Sequence, residues 1–420
     1  MIERTDGRPD IFVDDTRRFQ RHLGCGGAIT DSAAAVYQLL SPEQKREFIE
    51  ACYSPSGLGY NLGRITIGSC DFSPYVYDYA SEATLQDFSL NHAKKELFPL
   101  IADVSKITNI SLMASSWSPP AFYKNNRDKC RGGFLLTEHY DDYSEYIVRF
   151  IASARQEGIP VTMMTIQNEP LATQIWESCL FTASEEKKLA VNIKRKLEER
   201  GLGFIEIYGW DHNRDKLVER ATALYEGEGK TIFDGMAYHW YDQGVHESIG
   251  CVTESHPEKK ILFTEGCVEW LREGNLNSRD PFESALRYAK NYILDARSGS
   301  QGFIDWNILL NEAGGPNHVG NYCEAPIMYD RMEKRIIYKS SYDAIKHFSH
   351  FVRPGAIRIE SSVLNEKLLT VAYRNPDQST AIIILNLGEK RAVTIAFAND
   401  RVMCYIEKRS ISTIIKDGGI

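Results

Sequence analysis

The sequence predicts an α/β protein, a (β/α)8 TIM barrel with an appended antiparallel β-sandwich domain, and three observations predict it. Between about residue 24 and residue 310, eight short apolar or β-branched runs alternate with longer stretches of helical periodicity, the pattern that builds a parallel sheet. Beyond about residue 352 the character changes to runs of alternating apolar residues broken by turn signals. A chain of 420 residues also has room for a barrel of about 250 residues or more and a smaller module besides.

The eight strand-like runs cover 24–32, 60–68, 111–117, 161–169, 205–212, 233–241, 260–267 and 302–309, and each runs into a polar or aromatic cluster. Helices are signalled between them. Ser41-Pro42 opens one over 43–51 as an N-cap followed by proline, and Thr182-Ala183-Ser184-Glu185 opens another over 186–200 as a capping box that Gly201 ends. Residues 138–156 and 281–297 carry apolar residues three and four apart, as helices laid against a barrel do. The stretch 242–258 has no clear pattern.

After a last helix over 338–351, strands are expected at 356–363, 368–374, 381–387, 392–397, 401–406 and 412–415, with Asn375-Pro376-Asp377 and Gly388-Glu389 as turns. Segment 11–22 is also strand-like, through Phe12, Val13 and Phe19. It is expected to join the sandwich from the other end of the chain, giving a division into 1–23 (sandwich strand), 24–352 (barrel) and 353–420 (sandwich).

Composition narrows the function classes. The chain is 43% hydrophobic and carries a net charge of −8, so no basic field favours nucleic acid as a partner. No apolar run is long enough to span a bilayer and the first residues lack the apolar core of a secretory signal, so the expectation is a cytoplasmic chain, with export by a route that reads no such signal left open. Nine cysteines are scattered without a Cys-x-x-Cys pair, which argues against a disulfide framework and a structural zinc site. Asp71 and His239 have no companions at metal-ligand spacing, and Gly24-Cys25-Gly26-Gly27 lacks the Lys-Ser/Thr of a phosphate loop, so neither metal nor cofactor is expected. Oligomeric state is left open.

In a (β/α)8 barrel the chemistry sits at the C-terminal ends of the strands. The fourth run ends Gln167-Asn168-Glu169-Pro170 and the seventh ends Thr264-Glu265-Gly266, which puts two glutamates from opposite sides of the barrel in one mouth. A lone strand-end glutamate is ordinarily a solvated surface carboxylate. A pair is what glycoside hydrolysis requires: one carboxyl protonated to donate to the leaving oxygen, one ionised to meet the cationic sugar ring. Around them, mostly at or just past strand ends, stand Arg64, Asp71, Trp117, His239, Tyr241, Trp306 and Asn321, aromatic faces and polar groups of the kind a sugar uses. Trp117 and Trp306 read as pocket residues; Trp240 reads equally well as core.

These segments resemble glycoside hydrolase family 30, in particular its glucosylceramidase-like branch. The resemblance runs in order through nearly the whole chain: Gly24-Cys25-Gly26-Gly27, Tyr60-Asn61-Leu62-Gly63-Arg64, Ser69-Cys70-Asp71-Phe72, Ser116-Trp117-Ser118-Pro119-Pro120, Gln167-Asn168-Glu169-Pro170, His239-Trp240-Tyr241, Thr264-Glu265-Gly266-Cys267, Asp305-Trp306-Asn307 and Gly314-Gly315-Pro316-Asn317. It implies that Glu169 is the general acid/base and Glu265 the nucleophile of a retaining β-glycosidase. It also implies that Asp71, Trp117, Asn168, Trp306 and Asn321 hold the sugar ring, and that Arg64 and Tyr241 steady the nucleophile. The expected substrate is a terminal β-linked glucoside, glucosylceramide or a related carbohydrate or glycolipid. The alternatives are a β-xylosidase, β-fucosidase or β-1,6-glucanase of the same family, or a catalytically silent carbohydrate-binding protein. Thr264-Glu265-Gly266 departs from the Ser-Glu-Ala of the lysosomal members, so a membrane-lipid substrate is not carried over by resemblance alone.

Overall fold

Eight parallel strands close into a barrel in the computed structural model, which describes residues 2–269, 282–398 and 400–418. They are β1 (Gly24–Ala28), β2 (Leu62–Thr66), β3 (Ser111–Ser115), β4 (Val161–Thr165), β5 (Glu206–Asn213), β6 (Gly235–His239), β7 (Lys260–Glu265) and β8 (Gly302–Asn307). β8 pairs with both β7 and β1, which closes the ring. All eight expected runs are strands, but most stop short of the expected end, because the residues beyond them leave the ladder and curl into the mouth. β1 approaches β2 so closely that a side chain on Gly26 would put its Cβ 2.0 Å from the Leu62 carbonyl oxygen, which explains the glycine run.

Helices Asp31–Leu39, Pro42–Tyr53, Tyr140–Gln156, Ala183–Glu199, Glu247–Ser255 and Phe282–Arg297 lie outside the barrel among others. Both capping signals read from the sequence are formed, at Ser41 with Gln44 and at Thr182 with Glu185. The unclear stretch 242–258 contains the helix Glu247–Ser255. Pro281, expected to begin the last barrel helix, lies outside the described residues. Among the described residues no helix is long and apolar enough to cross a membrane.

The second unit is one eight-stranded sheet. Its order is Ile2–Arg4, Arg401–Ile406, Arg391–Ala396, Ile11–Arg21, Ile357–Val363, Leu368–Arg374, Thr380–Asn386 and Ser410–Lys416. Ile11–Arg21 thus lies in the middle of a sheet otherwise built mainly from the C-terminal segment. Its pairing with Arg391–Ala396 is parallel, through Ile395 opposite Ile11; the other pairings are antiparallel. Residues from both halves of the sheet, including Ile11, Val13, Ile359, Ile382, Ile384, Val393, Ile395 and Ile406, share one buried core, so the sheet folds over itself. The opposite face of its strands, with Val371, Tyr373 and Ile383, packs on the helices Phe282–Arg297 and Ser340–Ser349 and joins the barrel's own outer core.

Candidate active site

The inside of the barrel changes chemistry along its axis. Residues two apart share a face of a strand, and on β2 Leu62 is followed by Arg64, on β3 Met113 by Ser115, on β4 Met163 by Thr165, on β6 Ala237 by His239 and on β7 Leu262 by Thr264. The first member of each pair packs with Tyr208 and Ile304 in one apolar layer. The second members form a hydrogen-bonded polar layer above it. β5 contributes through a register shift between Trp210 and His212, where Trp210 and Asp211 adopt φ of 74° and 55°. This bulge turns Asp211 into the polar layer.

Arg64 ties that layer together. It is fully buried, and its five donors meet five acceptors: Nε donates to Ser115 Oγ (3.0 Å), Nη1 to Glu265 Oε2 (2.6 Å) and the Thr264 carbonyl (3.3 Å), and Nη2 to Asp211 Oδ2 (2.6 Å) and Asn168 Oδ1 (2.9 Å). Two carboxylates and a saturated hydrogen-bond set offset the cost of burying the guanidinium. Asp211 also accepts from Thr264 Oγ1 (2.7 Å) and from His239 Nε2 (3.0 Å). Burial opposes its charge, but Arg64 and His239 outweigh that and hold the carboxyl well below the usual carboxylate range.

The two glutamates sit in unlike surroundings. Glu265, at the end of β7, receives Arg64 on one oxygen and the Tyr241 hydroxyl on the other (3.1 Å). Burial pushes the Tyr241 phenol well above its ordinary range, so it remains a donor. Glu169 follows β4 in a left-handed conformation (φ 48°), fixed by its backbone N–H on the Asp211 carbonyl at 3.0 Å. Its Oε1 faces His239 Nδ1 at 3.3 Å and His212 Nδ1 at 3.7 Å, and Gln174 Nε2 lies 3.5 Å from its Oε2.

Because His239 Nε2–H is committed to Asp211, one further proton is shared between His239 Nδ1 and Glu169. Burial works against the imidazolium, but Glu265, Asp211 and Glu169 lift His239 to about 9. Burial likewise raises Glu169, yet the His239 hydrogen bond and the neighbouring imidazoles bring it below its ordinary value, so in this arrangement the shared proton rests on the imidazole. Burial drives Glu265 upward against His239 and Arg64, which places the two glutamates in the reverse of the order an acid and a nucleophile need. Hydrogen bonding argues the other way: Arg64 and Tyr241 both donate to Glu265, and only the carboxylate uses both donors fully. The shared proton thus belongs to the Glu169–His239 pair as a unit rather than to Glu169 alone.

Both glutamates line one cavity of about 150 Å³ that is open to solvent, together with Asp71, Trp117, Asn168, Tyr241, Trp306 and Asn321. Trp117 and Trp306 stack with ring centroids 5.2 Å apart, and Arg64 lies 4.7 Å from the Trp117 ring centre. Asn321 Nδ2 donates to Asp71 Oδ2 at 2.9 Å, and burial and the nearby Glu265 push the Asp71 carboxyl well above its ordinary range. Arg64 and His239 lie beneath the cavity, Arg64 behind Glu265, Asn168 and the Trp117 ring and His239 behind Glu169. Trp240 is buried outside it, its indole N–H on the Cys267 carbonyl at 3.3 Å.

Sequence reading missed Asp211, His212, Gln174, Trp176 and the cavity thiols Cys267 and Cys323. Asp211-His212-Asn213 at the end of the fifth run was a usable signal. The others lie on loops whose path the sequence does not specify. Among the described residues Glu169, His212 and His239 are the group whose ligand atoms come close enough to hold a metal ion, a cluster the spacing of residues along the chain did not reveal.

Comparison with known proteins gives the family and the fold. A family model described as the glycosyl hydrolase family 30 TIM-barrel domain matches residues 23–352, and one described as the family's beta sandwich domain matches 355–414. Lysosomal acid glucosylceramidase of Mus musculus is 30% identical over 399 residues, covering 90% of this chain and 77% of that one. The crystal structure of SrfJ from Salmonella typhimurium aligns with a TM-score of 0.95 at 34% identity, covering 99% of this chain and 95% of that one. An endo-β-1,6-glucanase structure aligns at 25% identity and a TM-score of 0.89, covering 98% and 96%.

Proposed function

Since the chain belongs to glycoside hydrolase family 30 and is therefore a glycoside hydrolase, we propose that it removes terminal β-linked glucose by double displacement with retention of configuration. The observation that carries this reading is the unequal pairing of the two cavity glutamates. Glu265, held by Arg64 and Tyr241, attacks the anomeric carbon. Glu169 passes the proton it shares with His239 to the departing oxygen, and then takes a proton from water as that water attacks the glycosyl-enzyme. The stacked Trp117 and Trp306 offer aromatic faces to the ring, and Asp71 with Asn321 and Asn168 meets its hydroxyls.

The substrate we favour is a glucoside with an apolar aglycone, of the glucosylceramide type. Its support is an apolar rim beside Glu169: Leu171 is half exposed and Ile175 is 66% exposed, on the loop whose Gln174 and Trp176 line the cavity. The likeness to endo-β-1,6-glucanases supports a second reading, a β-1,6-glucan substrate.

A panel of nitrophenyl β-glycosides, with product configuration followed by NMR, tests the reaction, and glucosylceramide against β-1,6-glucan tests the aglycone. Wild type releases β-glucose first. Glu265→Gln is inactive. Glu169→Ala keeps turnover of activated glycosides only and is accelerated by azide. Release of α-glucose, or azide rescue at position 265 instead of 169, contradicts the role assignment.

A further inference from the structure

We propose that Glu169, His239 and His212 form a binding site for a single divalent cation of the zinc type, and that occupancy of this site switches the enzyme off. Each residue offers one ligand atom, all within 4.8 Å of one another, and the imidazole nitrogens that face Glu169 Oε1 are His239 Nδ1 and His212 Nδ1. Tetrahedral zinc with ligand bonds of about 2.0–2.1 Å sets its ligands roughly 3.3–3.4 Å apart. Two of the three separations, 3.3 Å from Glu169 to His239 and 3.7 Å from Glu169 to His212, are already close to this, and the third, between the two imidazoles, lies within 4.8 Å and closes by side-chain rotation.

Three further features fit a metal site. A histidine that ligates metal usually donates its other ring N–H to a carboxylate, which fixes its orientation. His239 does this through Nε2 on Asp211 at 3.0 Å, and Asp211 is itself held by Arg64, Thr165 and Thr264. His212 Nδ1 is buried and has no hydrogen-bond partner, while the ring is steadied against Trp210 at 5.1 Å between centroids. Charge is also suitable. Glu169, Asp211 and Glu265 are three carboxylates against one guanidinium, Arg64, so once the proton shared by Glu169 and His239 leaves to solvent, two negative charges face the incoming dication. Glu169 and His212 both line the cavity, largely buried but in reach of it, so a water from the cavity can take the fourth coordination position.

Coordination takes up Glu169 Oε1 and displaces the proton that it would deliver. The inhibitory consequence rests on the proposed role of Glu169; the binding site does not.

The experiment reads the metal first without substrate. Cobalt(II) is added to the whole protein and followed by its visible ligand-field bands, zinc affinity is measured by competition with a chromophoric chelator, and X-ray absorption is recorded on the zinc-loaded protein. We expect one cation per chain, tetrahedral cobalt bands, two imidazoles and an oxygen at about 2.0–2.1 Å, and zinc affinity weakened about tenfold or more in His212→Phe and His212→Gln. No binding, equal affinity in wild type and both variants, or sulfur ligands at about 2.3 Å overturns the site. X-ray absorption needs no variant, so it decides even where a variant fails to fold. Zinc is then added to nitrophenyl glycoside hydrolysis, where we expect loss of activity that a chelator restores. Metal bound as described with hydrolysis unimpaired leaves the site standing, removes its role as a switch, and sinks the reading of Glu169 as the acid.

Discussion

At the scale of single residues, the proposed chemistry depends on how one proton is shared between Glu169 and His239. The imidazole is lifted from 6.5 to about 9, so the pair keeps its proton through neutrality and loses it as pH rises through about 9. At low pH the requirement is an ionised Glu265, whose carboxyl burial raises, so activity falls as acid protonates it. The pH–rate profile is therefore a bell. In His239→Asn the alkaline limb should move toward neutrality and kcat should fall about 10²-fold or more. An alkaline limb unchanged in this variant contradicts the shared-proton account. The same shift stabilises the fold with a definite sign: the contribution of His239 is complete below about 6.5, lost through about 9, and absent in His239→Asn. Urea unfolding at the two ends of that window reads the difference.

At the scale of elements, the strand ends were legible and the network between them was not. Glu169 and Glu265 stood out because each follows a β-branched run at its C-terminal end, where a barrel keeps its chemistry. Arg64 was read among the strand-end residues, and its role beside the nucleophile came from the resemblance. Its five acceptors come from β3, β5 and β7 and from Asn168, three residues past the end of β4, a set that only the closed barrel assembles. Asp211 was missed because a bulge with two left-handed residues aims it inward, whereas simple alternation gives no such signal. Trp240 was undecided on sequence because an indole suits a core and a sugar pocket equally; its hydrogen bond to Cys267 and its packing on Phe263 and Tyr288 put it in the core.

Gly266 is explained at this scale too. A Cβ there would lie 2.5 Å from Phe263 Cζ and 2.6 Å from Trp240 Cε2, which accounts for the glycine beside Glu265. Gly266→Ala should destabilise the protein by about 1–3 kcal/mol and lower kcat by displacing Glu265. Thermal unfolding together with kcat checks this, and an unchanged kcat would show that β7 absorbs the strain without moving the carboxylate.

At the scale of the whole molecule, the two ends of the chain are tied into one sheet that backs the barrel. Ile11 is fully buried between strands from the C-terminal segment. Ile11→Ala should cost about 2–5 kcal/mol, from lost transfer energy and the cavity left behind, and the sheet's contact with Phe282–Arg297 should pass part of that loss to the barrel. Tm measured alongside kcat at low temperature separates the effects: Tm falls while kcat holds. A lowered kcat with unchanged Tm contradicts a purely structural role for the N-terminal strand. The eight-strand barrel count came from periodicity alone. The parallel pairing of Ile11–Arg21 with Arg391–Ala396 did not, because alternation reports which face of a strand is buried and not which neighbour it takes.

The central claim, that Glu265 forms a covalent glycosyl-enzyme, is tested most directly by incubating the protein with an activated 2-deoxy-2-fluoro-β-glucoside and locating the adduct by peptide mass spectrometry. The expected result is one sugar per chain on the peptide carrying Glu265, with activity lost in step with labelling and none in Glu265→Gln. Labelling at Glu169, or inactivation without any adduct from a substrate class the enzyme turns over, would contradict the mechanism.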